Sequence, residues 1–240
     1  MNIPLWVSEL AAAFWEQAGG EEPFPRDLRR GIALGLPLSV VTIPALSVGG
    51  VRRWLARNGV NLVIDAPEHS LRACLVARFG RGIVFLDAAD PPDEQRFSLA
   101  HEVAHYLRDY WKPRQEAVKG LGPGVLEVFD GRRAPSPTEQ IYSLLARIPV
   151  EAHLHLMERS PEGFTSDLRV RRAEADADRL AFELLAPAKH VLAGSLEWDC
   201  LVEVLCRVYG LPRGPAQQYA STLLPEGEHS PWLLRLGLQR

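Results

Sequence analysis

The sequence predicts an α+β fold that is mainly helical, with a small antiparallel sheet packed on a pair of helices and a helical carboxy-terminal region. Three observations lead there. Apolar residues recur at helical spacing in several separate stretches. Runs rich in Val, Ile and Leu, bounded by Gly and Pro, gather before residue 90. Past residue 190 the pattern is helix, turn, helix, and no internal repeat or low-complexity tract interrupts the chain.

The elements follow in order. Leu5, Trp6, Leu10, Phe14 and Trp15 lie at helical spacing ahead of Gly19 and Gly20, an amphipathic helix with a glycine stop. "PLSVVTIPAL", Pro37 to Leu46, reads as a short strand, "VGGVRRWLARNGV" as a short helix, and "LRACLVARFGRGIVFLD" as a hairpin turning at Gly80 to Gly82. Asp90 is positioned to cap the next helix, with Pro91 at its first turn and acids behind it. Phe97, Ala100, Ala104, Leu107 and Trp111 then form an apolar stripe, so this helix is expected to be buried on one side.

The stretch from Lys112 to Gln140 is broken by Gly and Pro and predicts a short helix only around "GVLEVFD". Thr138 to Met157 reads as helical with a break at Pro149, and Arg171 to Leu185 as a helix stopped by Pro187.

The chain's 240 residues suit one medium domain, or one domain with a small appendage. Lys and Arg (27) nearly balance Asp and Glu (30), which argues against a charge-driven nucleic-acid binder. Cys74, Cys200 and Cys206 make no framework of disulfides and read as small core residues. The first twenty residues fit neither a signal peptide nor a membrane span, so a cytoplasmic protein without membrane association is expected.

Chemistry concentrates in "SLAHEVAHYL". His101 and His105, four apart on a helix, can present imidazole nitrogens to one ion. Glu102, next to the first histidine, swings aside to where a general base would meet a water. A catalytic zinc needs a third protein ligand, and "RRAEADADRLAFELLAP" offers Glu174. Asp178, one turn on, can accept the second N–H of a ligating histidine. By spacing alone, a solvated helix face accounts for these two acids equally well.

"QRFSLAHEVAHYL" followed by "EADADRLAFELLAP" resembles the ImmA/IrrE family of zinc metallopeptidases. The resemblance implies a zincin-like helix pair, His101, His105 and Glu174 as metal ligands, and Glu102 as catalytic acid and base. It implies zinc, with manganese the alternative ion, and as substrate a helix-turn-helix repressor whose loss switches on stress or mobile-element genes. Asp178 stands where the family usually has Asn, and the gap from His105 to Glu174 is longer than is usual. That gap suggests a helical insertion at about 112–168 within a metallopeptidase domain of 1–190.

Residues 191–240 then form a helix-turn-helix-like region. Between Glu197 and Leu224 its basic residues are Arg207 and Arg213 against Glu197, Asp199 and Glu203, so direct DNA binding is not expected. Tyr106, Tyr110, His153 and His155 are further candidates for donors to a transition state; on the expected helix at most one of the two histidines could face the metal. A competing class is a non-catalytic metal-binding regulatory or toxin–antitoxin module, with a closed site completed by a histidine of the insertion. The oligomeric state is not indicated.

Overall fold

A computed structural model describes residues 3–20, 22–146, 152–159, 167–193 and 198–224. Within them the fold is mainly helical around one four-stranded sheet, in agreement with the expected class. Helices α1 (Leu5–Gln17) and α2 (Leu28–Gly35) lead into strand β1 (Leu38–Ile43), helix α3 (Val48–Arg57) and the hairpin β2 (Leu71–Arg78) and β3 (Arg81–Asp87).

The strand order is β1-β3-β2 and then a fourth strand, β4 (Ala152–Glu158). β2 runs antiparallel to both β3 and β4, but β1 runs parallel to β3. The sheet is therefore mixed, where an antiparallel one was expected. A parallel neighbour needs a crossover, and the segment carrying α3 supplies it.

Both faces of the sheet are covered, which explains why β2 reads as nearly continuous apolar sequence. Ala73, Leu75 and Ala77 face the large helical core, while Cys74 and Val76 pack with Val48, Val51 and Leu55 of α3.

The motif helix α4 (Pro92–His105) lies across the helical face of the sheet. It begins two residues after Asp90, with Pro91 in an extended conformation (ψ 152°) at its N-cap and no side-chain cap. Each residue before a proline is biased to extended backbone, so the Pro91-Pro92 pair delays the helix. Asp90 pairs instead with Arg159 at 2.7 Å.

Beyond His105 the helix widens into a π-helical segment, Tyr106–Trp111, and continues as α5 (Lys112–Leu121), a helix that sequence reading missed. Gly122, at φ 81°, ends it. The expected short helix is α6 (Val125–Phe129), followed by α7 (Pro137–Ala146). The presumed helix through Met157 is instead the edge strand β4. "HLHLM" alternates with period two, the signature of a strand with one face toward each core.

Helix α8 (Leu168–Leu185) starts earlier than expected because Asp167 caps it, its carboxylate accepting from the Arg169 N–H at 2.8 Å. Short α9 (Ala188–Val191) and the pair α10 (Trp198–Arg207) and α11 (Arg213–Leu223) follow. The Tyr219 ring stacks on Phe182 with centroids 4.5 Å apart, and its hydroxyl donates to the Ala186 carbonyl, which fastens α11 to the end of α8. Among the described residues no helix is long and apolar enough to cross a membrane.

Candidate metal centre

Leu99, Ala100, Val103 and Ala104 bury one side of α4 completely enough that its histidines are carried inside the molecule. His101 and His105 are 3% and 2% exposed, and Glu102 is fully buried. α8 packs alongside and brings Glu174 and Asp178 to the same place.

The His101 and His105 Nε2 atoms lie 3.2 Å apart. The Glu174 oxygens sit 3.2 Å from His101 Nε2 and 3.5 Å from His105 Nε2. Four ligands held tetrahedrally at the usual zinc distances would be separated by about 3.3 Å, so this donor set fits a zinc-sized ion without rearrangement.

The other ring nitrogen of each histidine is backed by a carboxylate. Asp178 Oδ1 lies 2.9 Å from His101 Nδ1, and Asp109 Oδ2 lies 2.9 Å from His105 Nδ1. Such partners fix Nδ1 as the protonated nitrogen and leave Nε2 free to ligate. Asp109, on the π-helical segment, was not singled out from the sequence, though it stands four residues after His105. Arg108 grips both its oxygens at 2.6 and 2.7 Å and donates to the Ala173 carbonyl, tying this segment to α8 beside Glu174.

β4 contributes a third histidine. His155 Nδ1 lies 3.0 and 2.9 Å from the two Glu102 oxygens, and its Nε2 lies 3.1 Å from Glu174 Oε1. Its ring stacks on His105 at 3.8 Å between centroids. One ligand atom from each of His101, His105, His155 and Glu174 falls within 4.8 Å of all the others.

His153 shares this face of the strand, since residues two apart on a strand point the same way. It groups with His105 and Asp109 rather than with the main centre. Its buried Nε2 has no partner among the described residues. Burial holds its pKa down to about 4.

The charges are strongly coupled. Burial works against a charged His101, but its bonds to Asp178 and Glu174 outweigh it and raise the pKa to about 9. For His155 burial is likewise outweighed, here by the Glu102 charge and the bonds to Glu102 and Glu174, and the value rises to about 10. Glu174, despite its burial, is pushed far below the ordinary carboxylate range by the three imidazoles around it. Asp109 is likewise lowered, to about 2, against burial, by His105 and Arg108.

Tyr106 and Tyr110 are not brought to the centre. The Tyr106 hydroxyl donates to the Gly80 carbonyl at 3.3 Å, and the Tyr110 oxygen accepts from the Gly80 N–H at 2.7 Å. Both pin the β2–β3 turn to the π-helical segment. On the open side, a pocket of about 410 Å³ reaches the centre at Glu174 and Asp178 and is floored by Phe182 and Tyr219.

Residues 59–120 match the model of the IrrE N-terminal-like domain, a peptidase family. The matched segment spans the hairpin, α4 and the π-helical segment, and stops well before Glu174, Asp178 and β4. A search of curated proteins gave no match.

Proposed function

We propose that the chain is a metal-dependent endopeptidase of the IrrE-like kind, with Glu102 as its acid and base; the family match at residues 59–120 supports this reading. The observation that carries this reading is the meeting of His101 Nε2, His105 Nε2 and the Glu174 carboxylate at 3.2 to 3.5 Å beside the fully buried Glu102. These three residues would hold zinc, with manganese as the alternative. When bound, the ion supplies Lewis acidity to a peptide carbonyl and makes water a better nucleophile.

The chain's own residues do the rest. The Glu102 carboxylate takes a proton from the attacking water and delivers it to the departing amine. Asp178 and Asp109 hold the His101 and His105 rings in one tautomer and one orientation. The dry surroundings of α4 strengthen each of these electrostatic contacts. Glu102→Gln preserves shape but cannot accept a proton; it is expected to keep metal and fold while losing cleavage by about 10²-fold or more. An active Glu102→Gln protein removes the assignment.

As substrate we infer a helix-turn-helix repressor, acting in the cytoplasm, on the strength of the family resemblance. The test is to incubate zinc-loaded protein with the product of an adjacent helix-turn-helix gene and look for one discrete cut by mass spectrometry. A second reading, a non-catalytic metal-binding module, is favoured by one observation: His155 Nε2 stands within reach of the same ion.

A further inference from the structure

We propose that His155 is a fourth, displaceable metal ligand, so that the peptidase centre is closed at rest and opens when this one ring turns away. The inference rests on the metal centre proposed above. All three histidines share one plan: His101 sets Nδ1 against Asp178, His105 against Asp109 and His155 against Glu102, and all three Nε2 atoms turn toward Glu174. A histidine with a carboxylate on one nitrogen and an ion-sized gap at the other has the arrangement of a metal ligand. Three imidazoles and one carboxylate make a complete tetrahedral set.

Two consequences follow from one ring. His155 fills the position that a catalytic zinc leaves for water and substrate, and its Nδ1 occupies both oxygens of Glu102, the group needed for proton transfer. While it stays, the ion lacks an open position and the base is engaged. Its departure restores both together. A turn about the side-chain bonds of His155 is enough, because β4 itself is anchored by its pairing with β2 and, just past its end, by Arg159 to Asp87 and Asp90.

The family match ends at residue 120 and does not include β4. The residue that closes the site therefore comes from the segment between the two metal-binding helices. Whatever grips that segment can switch the site without touching α4 or α8.

The test uses the full chain loaded with cobalt(II), whose visible absorption reports coordination, together with zinc affinity by chelator competition. In the wild type, a four-ligand centre gives the intense bands of tetrahedral cobalt and no response to added azide. In His155→Ala, zinc affinity should fall by about 100-fold or more, azide should perturb the bands, and added imidazole should restore them. Leu154→Ala, on the opposite face of the same strand, should leave both readouts unchanged and controls for damage to β4.

Equal zinc affinity and identical cobalt spectra in wild type and His155→Ala overturn the proposal while leaving the three-ligand peptidase centre standing. So does a drop in cleavage alone, which makes His155 a donor to the transition state. Failure of the wild type to bind zinc or cobalt overturns the metal centre itself.

Discussion

Replacing Asp109 by Ala removes the carboxylate behind the His105 ring while leaving every metal ligand in place. His105 is 2% exposed and loses the carboxylate 2.9 Å from Nδ1, so its N–H is left to whatever water enters through the partly exposed Asp109 position. An unpartnered buried N–H costs about 1–3 kcal/mol. The partly exposed pair with Arg108 adds about 1 kcal/mol or less. Freed from its tautomer, the ring should hold zinc about 10–100-fold more weakly, which corresponds to about 1.4–2.7 kcal/mol. Asp109→Asn keeps an acceptor and loses the charge, and should fall between wild type and Ala.

The assay is zinc competition against a chelator at fixed pH, with denaturant unfolding of the metal-free protein alongside. Zinc affinity within twofold of wild type in Asp109→Ala would refute the reasoning, since it would mean that the ring is held by packing alone.

Four further outcomes follow from the structure. Glu102→Gln should still bind zinc, more weakly by less than about tenfold because the amide keeps an acceptor for His155, while losing cleavage by about 10²-fold or more, as measured by chelator competition and mass spectrometry on the same preparation. His155→Ala should change the cobalt spectrum and admit azide. At Gly82, a Cβ would collide with Leu38 Cδ1 and lie 2.9 Å from Tyr106 Cε2, so Gly82→Ala should cost about 1–3 kcal/mol by overpacking, and the Gly82→Ala, Leu38→Ala double variant should lose less than the sum of the two singles by urea unfolding. Asp87 is held below the usual carboxylate range: burial acts to raise it, but the Ala89 N–H, Arg159 and the Leu46 N–H outweigh that. Its contribution is therefore present above the unfolded value of about 3.9 and lost as pH falls through the lower folded value; Asp87→Asn should flatten that acid limb in unfolding titrations from about pH 6 to about pH 2.

The sequence made the α4 part of the centre legible because residues four apart on a helix share a face, a rule that needs no tertiary information. The same rule brought forward Glu174 and Asp178, although nothing in the spacing could say that α8 would pack beside α4. β4 was misread for an identifiable reason. The helical reading of "IYSLLARIPVEAHLHLM" was extended past Pro149, over an alternation that belongs to a strand, and this put His153 and His155 on different faces. As a strand it presents both histidines to the helices while Leu154 and Leu156 pack toward α3. Asp109 could have been found by the same rule, four residues after His105; what local sequence gives little warning of is the π-helical turn on which it sits.

That wider turn also sets a rule about chain length. Each residue of an α-helix advances the side chains by about 100°, and the π-helical segment Tyr106–Trp111 absorbs its extra residue between His105 and α5. Deleting that extra residue would return the segment to ordinary helix and leave α5 in nearly its present register, because the wider turn is an insertion that the helix absorbs. What it would disturb lies inside the segment: Asp109 against His105, Tyr110 at the Gly80 turn and Arg108 at the Ala173 carbonyl cannot all keep their places when the segment is one residue shorter. The loss of a single codon here should therefore be felt at the metal centre and not in the helices that follow.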